Sequence, residues 1–131
     1  MRIVLQRVSE AAVSVDGTER GRIKRELLVL LGVQPEDNAE DIDWLANKVI
    51  QLRIFDDQAG VMNRSVQDIA GGILLISQFT LLASTKKGTR PSWHRAAKPE
   101  IAVPLYEAFH RKLEELLGRA VASSPSKNGC F

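Results

Sequence analysis

Leu27-Leu28-Val29-Leu30-Leu31-Gly32-Val33 is almost unbroken in its apolar character. The run has the length of a strand, and the lack of polar alternation marks a strand covered on both faces, which places it at the centre of a sheet. Toward the start of the chain, residues 2–34 carry short β-branched runs broken by Gly and Asp. Ile3, Leu5 and Arg7 share one face of a first strand and Val4, Gln6 and Val8 the other. Val13 and Val15 alternate with Ser14 and Asp16, and Gly21-Arg22-Ile23-Lys24 gives a weaker third strand. Asp16-Gly17 is a hairpin turn signal.

Beyond the central run, Pro35-Glu36-Asp37-Asn38 ends the strand and sets up a helix, with Asp37 or Asn38 as N-cap and Glu40 and Asp41 in its first turn. Ile42, Leu45, Ala46, Val49 and Ile50 follow at helical spacing, so this helix lies on the sheet; Trp44 falls off the stripe, at its rim. Arg53-Ile54-Phe55 reads as a short strand and Asp56 to Gly60 as a turn leading to Val61-Met62-Asn63. Gly71-Gly72 open the most apolar stretch, Ile73 to Leu82, read as one strand. A second amphipathic helix spans residues 99–117, with Leu105, Ala108, Phe109, Leu113 and Leu116 on its apolar face and Gly118 as its C′ residue. Residues 122–131 have turn composition and no period. The expected organisation is one domain over residues 1–121 and an irregular tail over 122–131.

The 131 residues suffice for one core, and 44% hydrophobic with 26% charged residues is a globular composition that needs no disulfide to close. A net charge of +2 does not declare a nucleic-acid binder. Cys130 has no second Cys to pair with, which suits a reducing compartment. Charge interrupts the first apolar run at Gln6-Arg7, and no run approaches the ~20 residues of a membrane span. The expectation is a soluble, cytoplasmic chain without signal peptide or membrane contact.

Three groups of residues could carry chemistry. Ser77-Gln78-Phe79-Thr80 puts two hydroxyls, an amide and successive backbone N–H groups at or near the end of a buried strand, where they could face a cleft; equally, they are the wet side of a half-exposed strand with Phe79 inside. A hydroxyl nucleophile needs a base. Only His94 and His110 are available, and no Gly-x-Ser-x-Gly elbow is present, which argues against a Ser/His/Asp triad. His110 reads as a residue flanking the apolar face, and His94 as an anion contact or a solvated loop residue. Lys86, Lys87, Arg90 and Arg95 form a basic cluster around Trp93. Its cations could grip phosphates while Trp93 stacks on a base, or it is a solvated loop with Trp93 turned inward. Motifs for metal, nucleoside triphosphate and dinucleotide binding are absent from the sequence.

In order along the chain, Gln6-Arg7-Val8 with Ala12-Val13-Ser14-Val15, Leu28 to Val33, Leu52-Arg53-Ile54-Phe55, Gly60-Val61-Met62-Asn63, Ser77-Gln78-Phe79-Thr80-Leu81 and Gly88-Thr89-Arg90-Pro91-Ser92 resemble the D-aminoacyl-tRNA deacylases, formerly D-tyrosyl-tRNA deacylases. The ordered set spans residues 2 to about 120, and Ser-Gln-Phe-Thr is the family signature. The resemblance implies an α+β fold, a mostly antiparallel, barrel-like sheet with two main amphipathic helices packed against it. It implies a homodimeric hydrolase that cleaves the ester between a D-amino acid, or glycine, and the terminal adenosine of tRNA, with no metal or cofactor. Carried over residue by residue, Ser77, Gln78, Phe79 and Thr80 line the pocket, Met62 and Asn63 approach it, and Arg7 supports it.

An activated ester asks little of a site: a positioned water, backbone N–H groups near Phe79 and Thr80 for the oxyanion, and help from the neighbouring ribose 2′-hydroxyl. Thr80 then serves as a wall and hydrogen-bonding residue; an older view of the family makes it the nucleophile. The sequence departs from the family after Ala122. The Gly-x-Phe-Gly-Ala-x-Met strand and the Asn-x-Gly-Pro-x-Thr motif, whose Gly-cisPro excludes L-amino acids in the partner's pocket, do not occur. Weak discrimination between enantiomers is the expectation. The alternative is a tRNA-binding protein of the same fold with reduced or lost hydrolysis.

Overall fold

The computed structural model describes the backbone of residues 1–15 and 17–123, and side chains at 1–8, 17, 18 and 27–123. The first two strands are long. β1 runs Arg2–Val15 and β2 Thr18–Gly32, antiparallel, with Arg2 opposite Gly32 and Leu5 opposite Val29. The separate short strands expected near residues 13 and 21 are thus parts of one hairpin. Its Gly17 takes φ 76°, a conformation that Gly adopts without strain, while Asp16 lies outside the described residues.

Helix α1 (Ala39–Gln51) starts at a capping box: Asn38 accepts from the Asp41 N–H and Asp41 accepts from the Asn38 N–H. Asp37 is left to another task, meeting the Met1 amine at 2.7 Å and the Gln34 N–H at 2.7 Å. A small antiparallel pair, β3 (Phe55–Asp56) and β4 (Met62–Arg64), follows. β5 (Gly72–Ser77) then lies beside β2, and helix α2 (Pro99–Leu117) leads to β6 (Ala122–Ser123) on the far side of β5. Gly118 ends α2 in the left-handed region at φ 81°, as its placement suggested.

The sheet order is β1-β2-β5-β6. Only β1 and β2 are antiparallel; β2 with β5 and β5 with β6 are parallel. The expected mostly antiparallel, barrel-like sheet is therefore corrected to an open, mixed one among the described residues. The reason is connectivity: each helix lies between two strands of the sheet, and a strand that returns through a helical crossover pairs parallel. The α+β class with two helices stands. Ala122 and Ser123, the first two residues of the expected tail, pair with Leu74 and Leu75. The rest of the expected tail, Cys130 included, lies outside the described residues.

Both helices pack on one face of the sheet. Leu27, Val29, Leu31, Ile73 and Leu75 meet Ile42, Ala46, Val49 and Ile50 of α1 and Ala102, Tyr106, Phe109, Leu113 and Leu117 of α2 in one core. The α2 stripe is rotated from the one read in sequence: Tyr106 and Leu117 are buried where Leu105 and Leu116 are only partly so. The Tyr106 hydroxyl donates to the Leu75 carbonyl at 3.0 Å, so an aromatic with a polar tip can occupy the core. The opposite face carries two rows that register fixes, Val4-Leu30-Ile76 and Gln6-Leu28-Leu74 with Ala122. Leu74 is buried, but Leu28, Leu30, Ile76 and Ala122 are half-buried and Val4 is exposed. The central run is thus covered fully on its helix side only.

Candidate functional site

The strand read as Ile73 to Leu82 stops at Ser77, and Phe79–Leu82 forms a 3₁₀ turn. Ser77 is buried on the core face, opposite Leu31; Gln78 and Phe79 are half-buried and Thr80 is exposed. The four residues thus form a strand-to-turn elbow rather than one strand face.

The elbow is fixed through its backbone. The Gln78 N–H donates to the Leu31 carbonyl at 2.8 Å, and the Arg2 guanidinium donates to the Leu81 carbonyl at 2.6 Å. Gly32, at the end of the central run, allows the close approach: a Cβ there would stand 3.2 Å from the Gln78 carbonyl oxygen and 3.3 Å from both Leu81 Cβ and Leu82 Cγ. A lone Gly inside an apolar strand is the sequence signal for such an approach, and it went unread. Within the elbow the Gln78 amide donates to the Thr80 hydroxyl oxygen, and no side chain caps the turn. An amide cannot take a proton from a hydroxyl, so this contact orients Thr80 without activating it.

Next to the elbow lies the basic loop. Ser84 and Ser92 exchange two backbone hydrogen bonds, at 2.7 and 2.9 Å, and close it into a lobe. Lys86, Lys87, Arg90 and Arg95 all line one groove of about 590 Å³, together with Ser84, Ser92 and His94. The Ser92 hydroxyl and His94 Nδ1 are hydrogen-bonded at 3.1 Å. Trp93 is neither in the core nor free: it is 39% exposed, and its ring meets Phe79 edge to face with centroids 5.8 Å apart at 71°.

Arg7, Met62 and Asn63 form a different cluster. Arg7 donates to the Ile54 carbonyl at 3.0 Å, Arg53 to the Asn63 carbonyl at 3.1 Å, and the Asn63 amide reaches Asp57 at 3.4 Å. Met62 is exposed at the hairpin tip. On the sheet, Arg7 is level with Leu27 and Ile73, four residues along from the row of Ile3, Leu31 and Ser77. At about 3.3 Å per residue that is about 13 Å along the strands, so a single chain holds the Arg7 backbone apart from that of Ser77.

The Val61 N–H, donating to Asp57 at 3.1 Å, is the main cause holding the Asp57 carboxyl below the ordinary 3.8; desolvation opposes it, and the Ala59 N–H, the Asn63 amide and the Arg64 charge add to the lowering. A depressed folded pKa stabilises the hairpin above the unfolded value, and that contribution is lost as pH falls through the folded one. The Val61 amide resonance should therefore titrate with a midpoint below 3.8 in an NMR pH series. A midpoint at or above that value would remove Asp57 as the organiser of this turn.

His110 does more than flank a face. Its Nε2 meets the Val121 carbonyl at 2.7 Å, while Glu114 accepts the Val121 N–H at 3.0 Å, so α2 grips the residue that precedes β6 by both backbone groups. Among the described residues no group of three His, Cys, Asp or Glu side chains is placed to hold a metal ion, and no helix is long and apolar enough to cross a membrane.

Helices on one face of a mixed sheet, a tightly held polar elbow and a cationic groove beside it define an α+β domain suited to a polyanionic substrate end. The family follows from sequence comparison: residues 4–131 match the model described as D-Tyr-tRNA(Tyr) deacylase, and the chain belongs to that family. A protein of Opitutus terrae named D-aminoacyl-tRNA deacylase is 59% identical over 123 residues, which cover 94% of this chain and 82% of the relative. A namesake in Bacteroides thetaiotaomicron is 54% identical over the same shares. A solved structure described as c-Myc DNA Unwinding Element Binding Protein superposes with a TM-score of 0.87 at 34% identity, covering 95% of this chain and 85% of the other.

Proposed function

We propose that this chain hydrolyses the ester bond of D-aminoacyl-tRNA, and of glycyl-tRNA, releasing the free amino acid and tRNA in the cytoplasm. The observation that carries the reading is the Gly32-seated elbow at Ser77 to Thr80, in a chain 59% identical to a protein named for that activity. Water attacks the ester carbonyl carbon, the bond to the ribose oxygen breaks, and the proton passes to that oxygen with help from the adjacent 2′-hydroxyl. Backbone N–H groups at Phe79 and Thr80 receive the developing oxyanion. Ser77, buried beneath, supports the elbow, while Gln78 and Thr80 form its polar wall. Lys86, Lys87, Arg90 and Arg95 hold the phosphates of the tRNA 3′ end, and Arg7 from β1 with Met62 and Asn63 from the β3–β4 hairpin border the substrate. The chemistry needs no metal or cofactor.

In this reading Thr80 is not the nucleophile. Thr80→Ala should keep measurable turnover, with kcat within about tenfold of the parent, since a single neutral hydrogen bond is worth roughly 1 kcal/mol. An aminoacyl adduct on Thr80, trapped and seen by mass spectrometry, would overturn the mechanism.

The reading also includes a homodimer, supported by the half-covered apolar rows on the helix-free face. A second copy seated there would bury Val4, Leu30 and Ile76 against their equivalents. Sedimentation should show a dimer for the parent and a monomer for Leu30→Lys; a parent that stays monomeric at micromolar concentration rejects this arrangement.

A further inference from the structure

We infer that Trp93 is a positioning residue that couples occupation of the basic groove to the geometry of the elbow. The inference rests on the reading of the elbow as the hydrolytic site. Trp93 directly follows Ser92, where two backbone hydrogen bonds shut the lobe carrying Lys86, Lys87 and Arg90. On its other side the Trp93 carbonyl accepts the Ala96 N–H at 3.0 Å, and the Ala97 N–H reaches the Val33 carbonyl at 2.9 Å, one residue past Gly32. The base of the lobe is thereby anchored to the central strand.

The elbow is held through Gln78 and Leu81, which lie on either side of Phe79 and Thr80, by Leu31 and Arg2. The Phe79 side chain is held differently, by the edge-to-face contact with Trp93. That ring pair joins the loop that grips the RNA to the residue whose N–H faces the ester oxygen. Phosphates drawn into the groove pull on a lobe whose root is Trp93, and the ring contact passes that constraint to Phe79. The two aromatics therefore set the direction of the Phe79 and Thr80 N–H groups in the RNA-bound state, while contributing little to RNA affinity.

Steady-state kinetics on D-Tyr-tRNA with Trp93→Ala, Trp93→Leu and Trp93→Phe tests this. An aromatic pair corresponds to about three- to tenfold in a rate constant. Trp93→Ala should lower kcat by about that factor with KM shifted less than about twofold, Trp93→Leu should do the same, and Trp93→Phe, which restores an aromatic edge, should recover most of the loss. If Trp93→Ala does not fold, the Leu and Phe variants carry the comparison. A raised KM with unchanged kcat would make Trp93 an RNA contact and overturn the inference, as would a Leu variant equal to the Phe variant. Gly32→Val, run beside them, separates the two levels: if the folded protein keeps parental kcat, the reading of the elbow fails; if it lowers kcat and the Trp93 variants do not, only this inference fails.

Discussion

Replacing Lys86, Lys87, Arg90 and Arg95 together with Ala is expected to abolish the salt dependence of tRNA binding along with most of the affinity. Each phosphate neutralised by a cation releases counterions, which lowers log K by roughly 0.7 to 0.9 per unit of log salt. Four contacts give a slope of roughly −3 to −4, or about a hundredfold loss of affinity for the parent between about 0.05 and 0.2 M salt. The quadruple variant should show a nearly flat line, and Lys86→Ala with Lys87→Ala should flatten the slope by about one to two units. The slope is the informative quantity because it counts contacts independently of what else holds the RNA. All four side chains line one groove beside Phe79 and Trp93, so they can act on one RNA segment at once. Filter binding with a tRNA across a salt series checks this, and an unchanged slope would place the RNA on another surface.

The second large effect is expected at Gly32, which touches no substrate. A Cβ at this position would press on the Gln78 carbonyl and on Leu81 and Leu82 at 3.2 to 3.3 Å. Leu82 is 2% exposed and cannot retreat, so the elbow must give by a few tenths of an ångström. Oxyanion donors are effective only when correctly placed, and displacements approaching 1 Å cost about a hundredfold. Gly32→Ala should lower kcat/KM about tenfold and Gly32→Val about a hundredfold, with stability losses of about 1 to 3 kcal/mol from overpacking. Melting temperature and kcat/KM measured together separate the two effects. A folded Gly32→Val protein with parental turnover would show that the elbow's position is not what matters.

How much of this was legible in the sequence follows from the range of the interactions. Local signals read well: the Asn38 cap, the Gly118 terminator, the α1 stripe and the turn at Gly17 all depend on residues within a few positions of one another. Pairing direction did not, because an apolar run such as Ile73 to Ile76 has the same composition beside a parallel or an antiparallel neighbour; the intervening helices were the better guide. The α2 stripe lies one residue from the apolar row at Leu105 and Leu116, because the Tyr106 ring can enter the core once its hydroxyl finds the Leu75 carbonyl. The Ser-Gln-Phe-Thr motif and the four cations were picked out as residues. Their assembly was not: the Phe79–Trp93 contact, the Arg2 bond to Leu81 and the seat at Gly32 all join positions far apart in sequence. The separation of Arg7 from the elbow is likewise a matter of strand register, which composition does not encode.

Hydrolysis of the aminoacyl ester of D-aminoacyl-tRNA at the elbow of Ser77 to Thr80 is measured by the decay of D-Tyr-tRNA and L-Tyr-tRNA, in parallel, with a catalytic amount of the purified 131-residue chain. D-Tyr-tRNA should decay far faster than in buffer, releasing free D-tyrosine and intact tRNA with no acyl-protein accumulating. D-Tyr-tRNA that binds the protein yet decays at the buffer rate would contradict it and leave an RNA-binding protein of deacylase fold.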